Sequence, residues 1–156
     1  MDQIEYPSDF SEFLRLLHSN HVEFLIVGGF AVALHGYPRT TADLDIWVSR
    51  TAENARRIVE TLIQFGFSRT ALNDQMFQAP DQVIRMGIAP NRIEILTDID
   101  GVEFSQCLYR ADYTIIDGIR IPVISLDDLR TNKAASGRPR DIDDLHHLPS
   151  PDGRSD

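Results

Sequence analysis

The segment from Phe24 to Val48 restricts the fold more than any other part of the chain. An apolar run, Val22 to Val27, stops at Gly28-Gly29, a short apolar stretch follows from Phe30 to His35, and the chain returns as Asp43-Leu44-Asp45-Ile46-Trp47-Val48. The first run reads as a buried strand and the glycine pair as a turn that starts a helix, with Gly36, Pro38 and the threonines forming the next loop. The returning segment alternates with period two. Leu44, Ile46 and Val48 point one way while Asp43, Asp45 and Trp47 point the other, which is the pattern of a half-buried strand.

The rest of the chain fits a sheet covered by helices. Ser8 to Asn20 repeats Phe10, Phe13, Leu14 and Leu17 at helical spacing behind a capping serine. Thr51 to Phe65 carries Ala55, Ile58, Val59, Leu62 and Ile63 on one stripe and stops at Gly66. Met76 to Gln78 reads as a short strand, and Gln82 to Ile88 and Arg92 to Leu96 as two more, joined through Ala89-Pro90-Asn91. Asp117-Gly118 between Tyr113–Ile116 and Ile119–Val123 is a hairpin signal. Ser125 opens a helix that ends at Gly137, and Asp141 to Leu148 is a second short helical piece. These elements predict an α/β (α+β) domain over residues 1–148, with a mixed sheet, two short C-terminal helices and a mobile tail over 149–156.

Composition narrows the function classes. The chain is 156 residues long, 42% hydrophobic and 25% charged, enough to bury a core without disulfides. The single Cys107 cannot bridge internally, and with no basic or histidine neighbour in sequence it reads as an inert, half-buried thiol. The start, Met-Asp-Gln-Ile-Glu-Tyr-Pro, lacks the pattern of a secretion signal, and no apolar stretch approaches the roughly 20 residues of a membrane span, so a cytoplasmic, non-membrane protein is expected. A net charge of -9 repels nucleic acid unless basic residues cluster locally. Lys133, Arg138 and Arg140 form the one dense basic cluster. No P-loop or Gly-x-Gly-x-x-Gly fingerprint supports a kinase, GTPase or dehydrogenase, and the paired histidines lack partners at zinc-ligand spacing.

Three acidic residues carry the chemistry. Asp43 and Asp45 leave the same strand face roughly 6.5 to 7 Å apart at the backbone, close enough for both carboxylates to converge on one cation. Oxygen donors of this kind suit Mg²⁺ or Mn²⁺. A lone Asp-x-Asp is more often a solvated sheet face, but Glu94, opposite Ile93 and Ile95 on a strand that can neighbour the aspartates, adds a third acid. A glycine pair between strand and helix admits close approach of a phosphate, although Gly-Gly by itself is more often a tight turn.

Together these residues resemble the minimal nucleotidyltransferase superfamily with the DNA polymerase β-like fold. The resemblance lies in Gly28-Gly29, a gap of thirteen residues, Asp43-x-Asp45, and Arg39 and Thr41 just ahead of the aspartates. It extends to Arg92-Ile93-Glu94-Ile95-Leu96-Thr97 and to Lys133 with Arg138-Pro139-Arg140-Asp141-Ile142-Asp143-Asp144-Leu145. It is nearest to the small bacterial branch of abortive-infection and toxin nucleotidyltransferases.

That resemblance implies transfer of a nucleoside monophosphate from a nucleoside triphosphate to a hydroxyl or phosphate acceptor, with Mg²⁺ or Mn²⁺ as cofactor. Asp43, Asp45 and Glu94 would be the catalytic, metal-binding acids, Glu94 standing where aspartate is usual in the superfamily. Gly28, Gly29, Arg39, Thr41, Lys133 and Arg138 would contact the nucleotide. The branch implies RNA, tRNA among it, or a protein hydroxyl as acceptor, and a cognate antitoxin as partner. The alternative is a degenerate domain of the same fold that binds a nucleotide or a partner without transfer.

Overall fold

The computed structural model describes residues 8–38, 41, 43–88 and 91–150. Arg39, Ala89 and Pro90, and with them one predicted nucleotide contact and most of one predicted strand connection, lie outside the described residues, as does the tail over 151–156.

Among the described residues, six strands and six α-helices follow one another along the chain: α1 (Ser8–Ser19), β1 (Phe24–Val27), α2 (Gly28–Leu34), β2 (Asp43–Val48), α3 (Ala52–Phe65), β3 (Val83–Met86), β4 (Arg92–Leu96), α4 (Phe104–Tyr109), β5 (Asp112–Ile116), β6 (Ile119–Val123), α5 (Leu126–Ser136) and α6 (Pro139–His147). The strands form one mixed sheet in the order β3-β4-β2-β1-β6-β5. β2 runs parallel to β4 and β1 parallel to β6, while β1 with β2, β3 with β4 and β5 with β6 are antiparallel. The mixed α/β architecture expected from the strand and helix periods is therefore present.

Alternation along β2 and β4 divides the sheet into two faces. Leu44 pairs with Ile93 and Ile46 with Ile95, and all four are buried on one side. This apolar face shares one hydrophobic cluster with Phe10, Phe13, Leu14 and Leu17 of α1 and Ala55, Ile58 and Leu62 of α3. Phe13 meets Phe65 with ring centroids 5.1 Å apart, so the two helices close over the sheet as a pair. The opposite face carries Asp43, Asp45 and Trp47 from β2 and Arg92, Glu94 and Leu96 from β4. Trp47 is buried there, edge-on to Phe104 of α4 at 5.1 Å, which makes it core.

Helix ends follow local chemistry. Thr51 accepts a hydrogen bond from the Asn54 amide at the start of α3, and Gly66 at its end has φ 122°. Ser125 accepts from the Asp128 amide to open α5, and Gly137 closes it in the left-handed region. Two expectations need correction. Met76–Gln78 is not a strand: Asp74–Phe77 is a 3₁₀ turn, because the Asn73 side chain accepts the Met76 amide and bends the backbone back on itself. Helix α2 begins at Gly28 itself, ahead of Phe30. Pro149, at the start of the stretch expected as a tail, has a carbonyl that accepts a hydrogen bond from Arg130 along with those of Leu145 and Leu148.

Candidate active site

A cleft of about 480 Å³ opens on the polar face of the sheet, where the end of β1 and the first turn of α2 meet β2, β4 and helices α5 and α6. Its lining includes Gly28, Gly29, Asp43, Asp45, Glu94, Lys133 and Arg138. Strand register explains how the acids arrive there. Asp45 pairs with Val27 on one side and with Glu94 on the other, so the central strand delivers its carboxylate between the glycine turn and β4.

Asp45 is tightly enclosed. A Cβ placed on Gly28, whose φ is +65°, would stand 2.1 Å from Asp45 Oδ2. Glycine at this position therefore leaves room for the carboxylate as well as for the turn. Asp45 Oδ1 is buried with no hydrogen-bond partner. Burial, the charge of Glu94, a side-chain hydrogen bond to Glu94 and the charge of Asp43 push the Asp45 carboxyl from its ordinary 3.8 up to about 7, against a smaller opposing pull from Lys133. An acid enclosed among acids, with one oxygen unsatisfied, is short of positive charge.

The other two acids face arginines. Arg92 holds Asp43 in a fork, Nε to Oδ1 at 2.8 Å and a terminal nitrogen to Oδ2 at 3.1 Å, and the pairing raises the arginine's own pKa. Arg85 Nε donates to Glu94 Oε1 at 3.0 Å, with Arg92 Nε 3.7 Å from the same oxygen. Among the described residues no group of three or more acidic, histidine or cysteine side chains is gathered closely enough to hold a metal ion. The donors nonetheless suit a hard divalent cation: all are carboxylate oxygens, and the unpartnered Asp45 Oδ1 is what such an ion would satisfy. What departs from a ready cluster is Asp43, turned onto Arg92.

The basic residues are placed differently from the expected dense positive patch. Lys133 lines the cleft but is buried, its Nζ 3.0 Å from Asp141 Oδ1 and 3.0 Å from Asp144 Oδ2. Arg138 Nε reaches Asp141 Oδ2 at 2.8 Å while most of its side chain stays in solvent. Burial alone would raise the Asp141 carboxyl, but hydrogen bonds from Arg138 and Lys133 bring it below its usual range. The lysine charge is thus balanced within α5 and α6, whose acids were invisible as partners in a linear reading. Thr41 is not among the cleft-lining residues; its hydroxyl donates to the Asp43 carbonyl at 3.2 Å, supporting the strand start.

Two contributors were not singled out from sequence. Arg85 and Asn132 also line the cleft. Asn132 donates to the Asp100 carbonyl at 2.9 Å, tying α5 to the loop after β4. Arg85 was the more accessible of the two, since the antiparallel β3–β4 hairpin sets it opposite Glu94. Cys107, read as half-buried with no basic or histidine neighbour in sequence, is fully buried and hydrogen-bonds to Asp128 beside Arg110; burial, then Asp128, pushes its thiol up to about 12, which keeps it protonated.

Comparison with known proteins agrees with this layout. No curated protein matches the chain significantly. Six solved chains match its fold, among them a provisionally assigned nucleotidyltransferase (TM1012) from Thermotoga maritima, with 20% identity, a TM-score of 0.61 and 87% of each chain covered. At that identity the likeness speaks for the fold alone. The sequence from residue 6 to 151 matches the model of a family described as nucleotidyl transferase of unknown function (DUF2204). With nearly the whole chain covered by that model, and a strand-borne acid pair beside a glycine turn at its centre, the protein belongs to this nucleotidyl transferase family.

Proposed function

We propose that the cleft transfers a nucleoside monophosphate from a nucleoside triphosphate to a hydroxyl or phosphate acceptor, using Mg²⁺ or Mn²⁺. The observation that carries this reading is Asp45: a half-buried carboxylate with one buried, unpartnered oxygen, pressed between Gly28 and Glu94. Asp43, Asp45 and Glu94 would hold the cation, which when bound neutralises charge on the reacting phosphates. The chain's own groups do the rest. Gly28 and Gly29, having no side chains, let the polyphosphate approach the backbone, and Arg138 offers an exposed guanidinium at the cleft rim. Arg39 and Thr41 belong to the same proposed contact set through the resemblance.

In the reaction an acceptor oxygen bonds the α-phosphorus, an acceptor hydroxyl giving up its proton, and the bond from that phosphorus to the bridging oxygen breaks to release pyrophosphate. An RNA end or a protein hydroxyl is the acceptor class implied by the resemblance to toxin and abortive-infection enzymes, as is a cognate antitoxin partner. The test is incubation with each labelled triphosphate, Mg²⁺ and mixed cellular RNA and protein. Label should appear in one acceptor fraction together with stoichiometric pyrophosphate; retention of all label in triphosphate would refute transfer.

A second reading, a domain that binds nucleotide without transferring it, draws on the engagement of Asp43 by Arg92. Saturable triphosphate binding with no pyrophosphate release would favour it.

A further inference from the structure

The geometry points to Arg92 as a built-in competitor for the divalent cation: its guanidinium occupies both oxygens of Asp43 and must leave before a cation can use that carboxylate. This rests on the metal-dependent reading of the cleft. Asp43 and Arg92 are direct register partners on parallel strands, so their pairing is set by the sheet itself. The fork is bidentate, at 2.8 and 3.1 Å, which is the geometry in which arginine binds a carboxylate most specifically. Both side chains are partly shielded, 36% and 25% exposed, so water weakens the pair less than it would at an open surface.

The arrangement also accounts for two observations that otherwise stand apart. Three acids share one cleft, yet no metal-holding group of three is assembled among the described residues. One of the three has an orphaned oxygen while another is doubly satisfied. Arg92 supplies the positive charge that keeps this acidic cluster folded without metal, and in doing so removes Asp43 from the ligand set. A cation then binds with an affinity reduced by the fraction of time Asp43 is free of the arginine.

The test measures Mn²⁺ binding without nucleotide, by loss of the free Mn²⁺ electron paramagnetic resonance signal, on five chains checked for fold by circular dichroism: the parent, Arg92→Ala, Arg92→Lys, Asp43→Asn and the Asp43→Asn, Arg92→Ala double variant. Arg92→Ala should bind Mn²⁺ at least about fivefold more tightly than the parent, the low end of couplings between sites. Arg92→Lys keeps the charge but cannot fork, and should gain most of the same affinity. With Asp43→Asn already present, Arg92→Ala should change affinity little, because the contested ligand is gone. Equal affinity in parent and Arg92→Ala overturns the proposal. A gain in Arg92→Ala with a parent-like Arg92→Lys also overturns it, by assigning the effect to net charge. If no chain binds Mn²⁺, the metal reading of the cleft itself falls, and the competitor role falls with it.

Discussion

Asp45 and Asp141 line the same cleft, yet their surroundings push them in opposite directions. Asp141 is 1% exposed and receives Lys133 on one oxygen and Arg138 on the other, which holds its carboxyl below the usual range. Asp45 faces Glu94 and Asp43, has one oxygen without a partner, and is raised to about 7. Asp141 is a buried charge that the chain compensates, whereas Asp45 is a half-buried one, with one buried oxygen, that the chain leaves uncompensated. A compensated acid holds two helices together, whereas an uncompensated one costs stability and is open to a ligand carrying positive charge. The contrast separates the cleft into a wall built by α5 and α6 and a reactive floor built by β2 and β4.

The largest expected effect would break this contrast at the floor. Asp45→Asn removes a charge the proposed cation needs and should lower nucleotide transfer about a hundredfold or more, the scale of losing one electrostatic stabiliser at a reacting phosphate. Pyrophosphate release and circular dichroism on the same samples measure both arms, and the fold should survive. Glu94→Gln should show the same pattern. An Asp45→Asn variant as fast as the parent would end the catalytic assignment.

On the wall the order is reversed. Lys133→Met leaves Asp141 and Asp144 buried without their shared cation, and should cost about 3 to 5 kcal/mol of stability as for other broken buried pairs. Thermal or urea unfolding reads this directly; a loss below about 1 kcal/mol would mean that the lysine is not structural. Between wall and floor lies Gly28. Gly28→Ala puts a Cβ against Asp45 Oδ2 at a positive φ, and should cost about 1 to 3 kcal/mol in backbone strain while also displacing the carboxylate. Full transfer activity in that variant would show that the Asp45 position is not critical.

A pH slope tests the same contrast. The unfolded chain ionises Asp45 near 3.8, while the folded, metal-free chain holds the proton up to about 7. Within that window the folded state binds more protons than the unfolded state, so stability from this group falls as pH rises, and the penalty is complete above about 7. Asp141 acts with the opposite sign: its depressed pKa contributes stability above its ordinary value that is lost on acidification. Urea midpoints between pH 4 and 8 for parent and Asp45→Asn should diverge, the variant holding more of its stability toward pH 8. Parallel curves would show that Asp45 is not uncompensated.

Much of this was legible from periodicity. The alternation in Asp43–Val48 and Arg92–Leu96 placed the acids on one face because a strand repeats every two residues, whatever its neighbours. Glycine and serine signals marked helix ends for equally local reasons. Two misses share a different cause. Helix α4, Phe104–Tyr109, is too short to show a period and has no side-chain cap, and the 3₁₀ turn at Asp74–Phe77 depends on one asparagine side chain. Within the site, the pairings of Asp43 with Arg92 and of Lys133 with Asp144 were not readable. The first depends on which strands neighbour each other, and the second on how two helices pack.

The parallel pairing of β2 with β4 also bears on when the chemistry can begin. β1, α2 and β2 are contiguous, so Gly28 and Asp45 meet through local folding. Glu94 reaches them only after the chain has passed through α3 and β3 and closed a long loop, the kind of non-local step whose entropy must be met before its contacts form. A ribosome-bound chain that has emerged only through β2 carries two aspartates and nothing to complete them. Lys133 and its acids follow later still. The proposed activity is therefore a property of the finished chain, silent until the β2–β4 crossover has closed and α5 and α6 have completed the cleft.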